Sequence, residues 1–373
     1  MTIKNNDIEP DWVVTPGEII EEHREAYGWT QAGLAQRLGC SEKHLNQVIN
    51  AKVALSPNLA ESLATVFDTS VGFWLNLETL YQQDLQRQKR REKLAKERSW
   101  LKKFPCTELR KRGFIKGTLR DVAGLADECL RHFGVATITE FQQLYGVARF
   151  ESSYAFRVSQ KRQPDPYAIA AWLREGERSI EEQSQDLRDV TYEPGKLQKV
   201  IDELARSTRE ITSETFVETV HKALASVGVG FALIPHYPRA AVSGAAAFHN
   251  QGLPYVFLSD YGKSMDKLWF NLFHELGHIL LHLTSLKDRK QRLFLDLEDR
   301  DQPDTQEEEA DAFARNTLIP EEHVHHLPTL TTKDRVEVFS QALHVHPGIV
   351  VGRLQHEGVI AYHEMNEMKE RFG

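Results

Sequence analysis

Between residues 15 and 80, apolar positions recur at helical spacing, and each run follows a residue that caps helices. Thr15, with Pro16 next and Glu18 three residues on, reads as a capping box opening a helix that stops at Gly28. Thr30 opens a second helix with Leu34, Ala35 and Leu38 on its inner face, ended by Gly39. Ser41 opens a third (Leu45, Val48, Ile49), Ser56-Pro57 a fourth (Leu59, Leu63, Val66, Phe67) and Ser70 a fifth, anchored by Phe73, Trp74 and Leu77. The spacing predicts a small all-α domain over 12–80, with polar residues 1–11 expected to be disordered. The fifth helix is expected to continue through QRQKRREKLAKERSWLKK, which has no glycine or proline before Pro105.

Helical periodicity persists through a middle region, 121–227, most clearly over 167–183, 194–206 and 213–227. After Gly228 the pattern changes. GVGFALIP (228–235), AAVSGAAAF (240–248) and PYVFLS (254–259) are short and apolar, separated by Pro, Gly and Asn, and read as strands. A helix over 264–282, an acidic loop and a helix over 305–317 follow. The fold class expected is α+β and mostly helical: a five-helix domain, a helical middle region and a C-terminal domain over 228–373 with a small sheet.

Composition changes this picture little. The 373 residues are 41% hydrophobic and 27% charged, enough for cores in two or three domains. No apolar run is long enough to span a bilayer, and the start, MTIKNNDIEPDWVV, lacks a basic-then-apolar signal. Cys40, Cys106 and Cys129 are far apart and lack metal-ligand spacing, so a disulfide scaffold is not expected and a reducing cytoplasm is. Charge is more informative. Residues 1–80 carry 5 Lys/Arg against 11 Asp/Glu, whereas the linker 81–120 carries 14 against 4. That basic stretch is either a solvated helical face or a contact for a polyanion.

His274-Glu275-Leu276-Gly277-His278 is an H-E-x-x-H inside an apolar helix. Residues i and i+4 share a face, so both imidazoles can reach one Zn²⁺ at about 2.0–2.1 Å, with Glu275 beside them to take a proton from a water on the metal. His282 continues the series but stands about 12 Å along the axis from His274, too far to share the ion, so it is expected to support or pack. The histidine-and-glycine extension of astacin-like sites is absent. The third ligand is sought in EEEADAFARNTLIP (307–320), where Glu307 shares a face with Ala310, Asp311 and Ala314. Glu308 falls on the opposite side. Glu309 is the alternative, and His323, His325 and His326 could compete from a loop.

WFNLFHELGHILLH (269–282) with E-x-x-A-D-A-F-A-x-x-x-L-I-P (307–320) resembles the ImmA/IrrE metallopeptidase family, gluzincin-like zinc proteases that cleave helix-turn-helix repressors. Val242-Ser243-Gly244-Ala245 and PGIVVGRLQHEG (347–358) extend the resemblance over roughly 200–360. It implies His274, His278 and Glu307 as ligands, Glu275 as catalytic base, and substrate held along the edge of the strand at Ser243-Gly244. Asp311 stands where the family more often has asparagine. For an oxyanion the sequence offers His249, Tyr255, Tyr261, Arg353 and His356.

Thr30–Gly39 followed by Ser41–Asn50 has the length and turn of a helix-turn-helix. Gln31, Ser41, Lys43, His44, Asn46, Gln47 and Lys52 are its candidate DNA contacts, since Asn and Gln pair with adenine edges and Lys with guanine or phosphate. Residues 13–80 resemble the HigA/VapI-like antidote proteins, a branch of the Xre-type family, which implies operator binding as a homodimer. The function expected is a DNA-binding regulator whose zinc domain cleaves a repressor or antitoxin-type protein. The alternative is a HigA-like antitoxin with a cognate toxin, whose zinc domain senses or binds without cutting.

Overall fold

The computed structural model describes residues 14–146, 164–187, 190–248, 252–284, 293–297 and 305–373. The expectation of disorder over 1–11 and the candidate His249 lie outside these residues. The described chain divides into two compact units, Met1–Ser99 with Gly117–Asp127 and Trp100–Lys116 with Glu128–Gly373.

In the first unit α1 (Pro16–Ala26), α2 (Gln31–Leu38), α3 (Glu42–Ile49), α4 (Pro57–Phe67) and α5 (Val71–Leu94) follow the capping signals. Thr15 forms the full capping box with Glu18, and the hydroxyls of Thr30, Ser41, Ser56 and Ser70 each accept a backbone N–H of the first turn. Gly39 ends α2 at φ 67°, the left-handed conformation that turns the chain into α3. Ile20, Leu34, Leu45, Leu63, Phe67 and Trp74 form the core.

The basic stretch departs from expectation. α5 stops at Leu94, and short helices α6 (Arg98–Leu101) and α7 (Cys106–Lys111) replace a continuous helix to Pro105. Leu94, Trp100, Leu101 and Phe104 are all buried along these shorter helices. Much of the positive charge is also spent internally. Arg87 pairs with Asp84, Arg90 with Asp127 and Arg91 with Asp121.

α8 (Val122–Phe133) and α9 (Ile138–Tyr145) follow, then α10 (Pro166–Leu187), α11 (Pro194–Arg206) and α12 (Phe216–Ala225) of the second unit. In that unit the thiols of Cys106 and Cys129, distant in sequence, are hydrogen-bonded but not linked. Four strands form one sheet in the order β1-β3-β2-β4: β1 (Gly230–Ile234), β2 (Val242–Phe248), β3 (Pro254–Ser259) and β4 (Phe294–Leu297). β1 runs parallel to β3, and β2 is antiparallel to both β3 and β4. α13 (Met265–Leu281) crosses this sheet, and α14 (Thr305–Leu318), α15 (Glu321–Val324), α16 (Lys333–Leu343) and α17 (Pro347–His356) complete the chain.

Two corrections follow. FLDL, inside the stretch read as an acidic loop, is β4. Ser243-Gly244 is therefore not at an edge, because β2 is paired on both sides, and it cannot hold a peptide by strand addition. The outer edge of β1 is also covered: the Gln183 amide bonds both the N–H and the C=O of Phe231. Arg112, a basic-stretch residue, clamps the chain just after β1 through the carbonyls of Pro235 and His236 while pairing with Glu108 and Glu175. Four of its five N–H donors are taken in this way, which leaves little of it for phosphate.

Candidate metal centre and nucleic-acid interface

α13 is apolar on almost every side because it packs against β2, β3, α14 and α17 at once. Leu268, Trp269, Leu272, Phe273, Leu276 and Ile279 fill those contacts. Gly277 lets α14 come close, since a methyl there would meet the Phe313 ring at 3.1 Å. Polar side chains are nonetheless buried in this apolar setting, His274, Glu275, His278 and, from α14, Glu307 most completely. Buried charge in such numbers is costly unless it is compensated.

Three donors converge. The Nε2 atoms of His274 and His278 are 3.0 Å apart, and Glu307 Oε2 lies 3.2 Å from the first and 3.4 Å from the second. Tetrahedral zinc with bonds of 2.0–2.1 Å has ligands about 3.3 Å apart, so this triangle fits one face of the coordination shell. Outer partners set the tautomers. His274 Nδ1 donates to Asp311 Oδ1 at 2.9 Å, which turns its Nε2 lone pair toward the shared point. His282 Nε2 meets Glu309 at 2.9 Å, and its Nδ1 meets His278 Nδ1 at 2.9 Å. With His282 donating to Glu309, His278 must donate from Nδ1 and keep its Nε2 lone pair for the metal. His282 thus acts on the centre through His278. Glu309 is exposed and serves His282, Glu308 is exposed, and His323, His325 and His326 are absent from the donor cluster.

Electrostatics point the same way. Burial lowers His274, but hydrogen bonds to Asp311 and Glu307 and the charge of Glu275 outweigh it and raise the imidazole to about 9. Burial pushes His278 down to about 4 against the pull of Glu307. The carboxylates around the two rings call for a cation at the position a divalent metal would fill.

Glu275 is fully buried beside this triangle, and β2 passes so close that a methyl on Gly244 would stand 2.3 Å from its Oε1. Glycine is needed there for proximity, not for its backbone angles. Sequence reasoning missed two contributors, both on β4. Phe294 stacks on His278 with ring centroids 4.1 Å apart, and Asp296 accepts the Ser243 hydroxyl at 2.6 Å and falls within one 4.8 Å cluster with His274 and Glu275. Four residues in an acidic stretch carry too little periodicity to reveal them. A cleft of about 570 Å³ includes Ser243, Asp296 and Asp311 in its wall, as well as Arg353 and His356. Tyr255 instead stacks on Phe257, and Tyr261 packs beside His236.

In the first unit, α3 presents Lys43 and Asn46 to solvent, with His44 and Gln47 partly covered. Gln31 and Asn46 are already joined, Asn46 Nδ2 donating to Gln31 Oε1 at 3.3 Å, so the two amides form one preset polar surface. The Ser41 hydroxyl accepts the His44 N–H as helix cap. Lys52 is exposed just beyond α3.

Comparisons with known proteins agree with this arrangement. Residues 237–355 match the peptidase M78 family, described as the IrrE N-terminal-like domain, and residues 20–74 match a helix-turn-helix family. The chain is 32% identical to a hypothetical protein from E. coli of known crystal structure, over 20% of this chain and 90% of that one, with a TM-score of 0.18. No curated protein matches the chain. Among the described residues no helix is long and apolar enough to cross a membrane. The chain thus joins a helix-turn-helix domain to an IrrE N-terminal-like domain of the peptidase M78 family.

Proposed function

We propose that this protein is a DNA-binding regulator whose second unit is a zinc-dependent endopeptidase acting on a regulatory protein of helix-turn-helix or antitoxin type. The observation that carries this reading is the buried donor triangle of His274, His278 and Glu307 with the Glu275 carboxylate fixed beside it. Zinc, when bound, would polarise a peptide carbonyl and acidify water. Glu275 is the buried carboxylate placed to hold a proton and pass it to the leaving amine. Asp311 and the His282–Glu309 pair hold the two imidazoles in the tautomers that ligation requires. β2 and α13 fix the position of Glu275 through the close approach at Gly244.

The reading as an antitoxin-type repressor with a non-cutting zinc domain draws on the helix-turn-helix alone. A purely structural zinc site has four protein ligands and no use for a buried carboxylate next to an open position. Gly244→Ala separates the two readings. The added methyl must displace the Glu275 carboxylate, and a misplacement of about 1 Å can cost about 10²-fold in rate. Turnover should fall by that order while bound zinc, measured by atomic emission, stays at the wild-type level.

For the first unit we propose operator binding as a homodimer through Gln31, Lys43, His44, Asn46, Gln47 and Lys52. The surplus of acidic residues over 1–80 must be offset, and Lys89, Lys93 and Lys96 are among the exposed cations of the basic stretch with no ion pair among the described residues. Each lysine that meets phosphate adds about 0.9 to the slope of log K against log salt. Replacing all three with glutamine should flatten that slope by about 2 to 3 in a titration against operator DNA. An unchanged slope would make the stretch a solvated spacer.

A further inference from the structure

The cleft extends well beyond the metal-binding triangle, along the N-terminal half of α13. α17 crosses α13 at Asp266, where a methyl on Gly352 would stand 2.7 Å from the Asp266 Oδ2. Asp266 precedes His274 by eight residues, so this end of the cleft lies about 12 Å from the metal ligands along the helix axis. Arg353 follows Gly352 and lines the same end.

The surroundings of Arg353 point to its use. Lys369 Nζ holds Asp266 Oδ2 at 2.8 Å, so the acidic group in this wall is already neutralised. Glu357, one turn along α17 and outside the cleft, takes the Nε–H of Arg353 at 2.5 Å and fixes the guanidinium. Neither Nη atom has an acceptor among the described residues, and Nη1 is sealed from water. Nη2 is not among the sealed atoms, so it is the donor an incoming acceptor can reach. Lys267, exposed on the same wall, also has no ion pair among the described residues.

We infer that Arg353, with Lys267, forms an anionic subsite of the cleft, which selects peptide substrates carrying a glutamate or aspartate side chain three or four residues from the scissile bond. The distance follows from the fold: about 12 Å corresponds to three or four residues of extended chain at about 3.3 Å each. The ligand class follows from the chemistry, because a guanidinium N–H without a partner makes a charge-assisted hydrogen bond to a carboxylate. Asp266 does not repel such a group while Lys369 holds it. Arg353 is a specificity residue in this account and takes no part in bond cleavage.

The inference rests on the peptidase reading, and one titration tests both separately. Fluorescein-labelled peptide hydroxamates, with a glutamate or a glutamine three or four residues from the hydroxamate on either side, are titrated into zinc-loaded full-length protein. The best glutamate peptide should bind about ten-fold more tightly than its glutamine twin. Arg353→Gln should bring the ratio below about two-fold, Arg353→Lys should restore part of it, and Lys267→Gln should lower it less. Because Lys267 is exposed, its variant reports on the subsite even if Arg353→Gln fails to fold. Twins that bind equally at every position would overturn the subsite and leave the metal centre standing. No hydroxamate binding at all would overturn the peptidase reading and the subsite with it.

Discussion

Glu307→Ala should strip the chain of zinc, from close to one ion per protein to almost none after dialysis, and His274→Ala and His278→Ala should do the same. Each removes one corner of a triangle with sides of 3.0–3.4 Å, and among the described residues the other buried carboxylate in the metal-sized groupings is Glu275. Glu309→Ala provides the contrast. It leaves the triangle intact and removes only the acceptor for His282, so affinity should fall by about 10–100-fold without loss of stoichiometry at saturating zinc. Asp311→Asn should fall in the same range, because it weakens the bond that orients His274. Metal analysis together with a competitive chelator titration reads both levels. Full zinc in Glu307→Ala would show that the third ligand lies elsewhere.

The second large effect concerns Glu275. Glu275→Gln is nearly isosteric and keeps the metal donors, so the variant should fold and hold zinc as the wild type does. It cannot accept a proton, and the loss should fall on turnover by about 10²–10⁴-fold, the usual contribution of a general base. Operator binding should not change, because Gln31, Asn46 and their neighbours belong to the other compact unit. A variant that loses zinc as well as activity would make Glu275 a ligand and not a base.

Much of this site was legible in the sequence because its parts obey local rules. The i, i+4 spacing of His274 and His278 needs only a helix, and the apolar run from Leu268 to Leu280 secures one. Glu307 could be chosen over Glu308 from the small residues on its face, Ala310 and Ala314, which are buried as that choice requires. Helix starts were legible for the same reason: a cap hydroxyl acts within three residues of itself. What was not legible depends on contacts distant in the chain. β4 exists because β2 offers it an edge, and no pattern within FLDL announces that. The fate of Ser243-Gly244 changed with it, from a peptide-binding edge to a paired central strand. The basic stretch misled in a related way, since a run of Lys and Arg does not reveal that Asp121 and Asp127 wait for Arg91 and Arg90. Charge counted along a chain overstates charge available at a surface whenever such partners lie outside the window.

The central claim is that Glu275 and its neighbours cut a regulatory protein, and the substrate need not be known in advance to test it. Wild-type protein and Glu275→Gln are expressed at equal levels in the native host, and newly formed protein N-termini are captured and identified by mass spectrometry. The account predicts one or a few new N-termini present only with the wild type, within a helix-turn-helix or antitoxin-type protein or within residues 81–120 of the chain itself. Identical sets of N-termini for the two proteins, with both holding zinc, would contradict it.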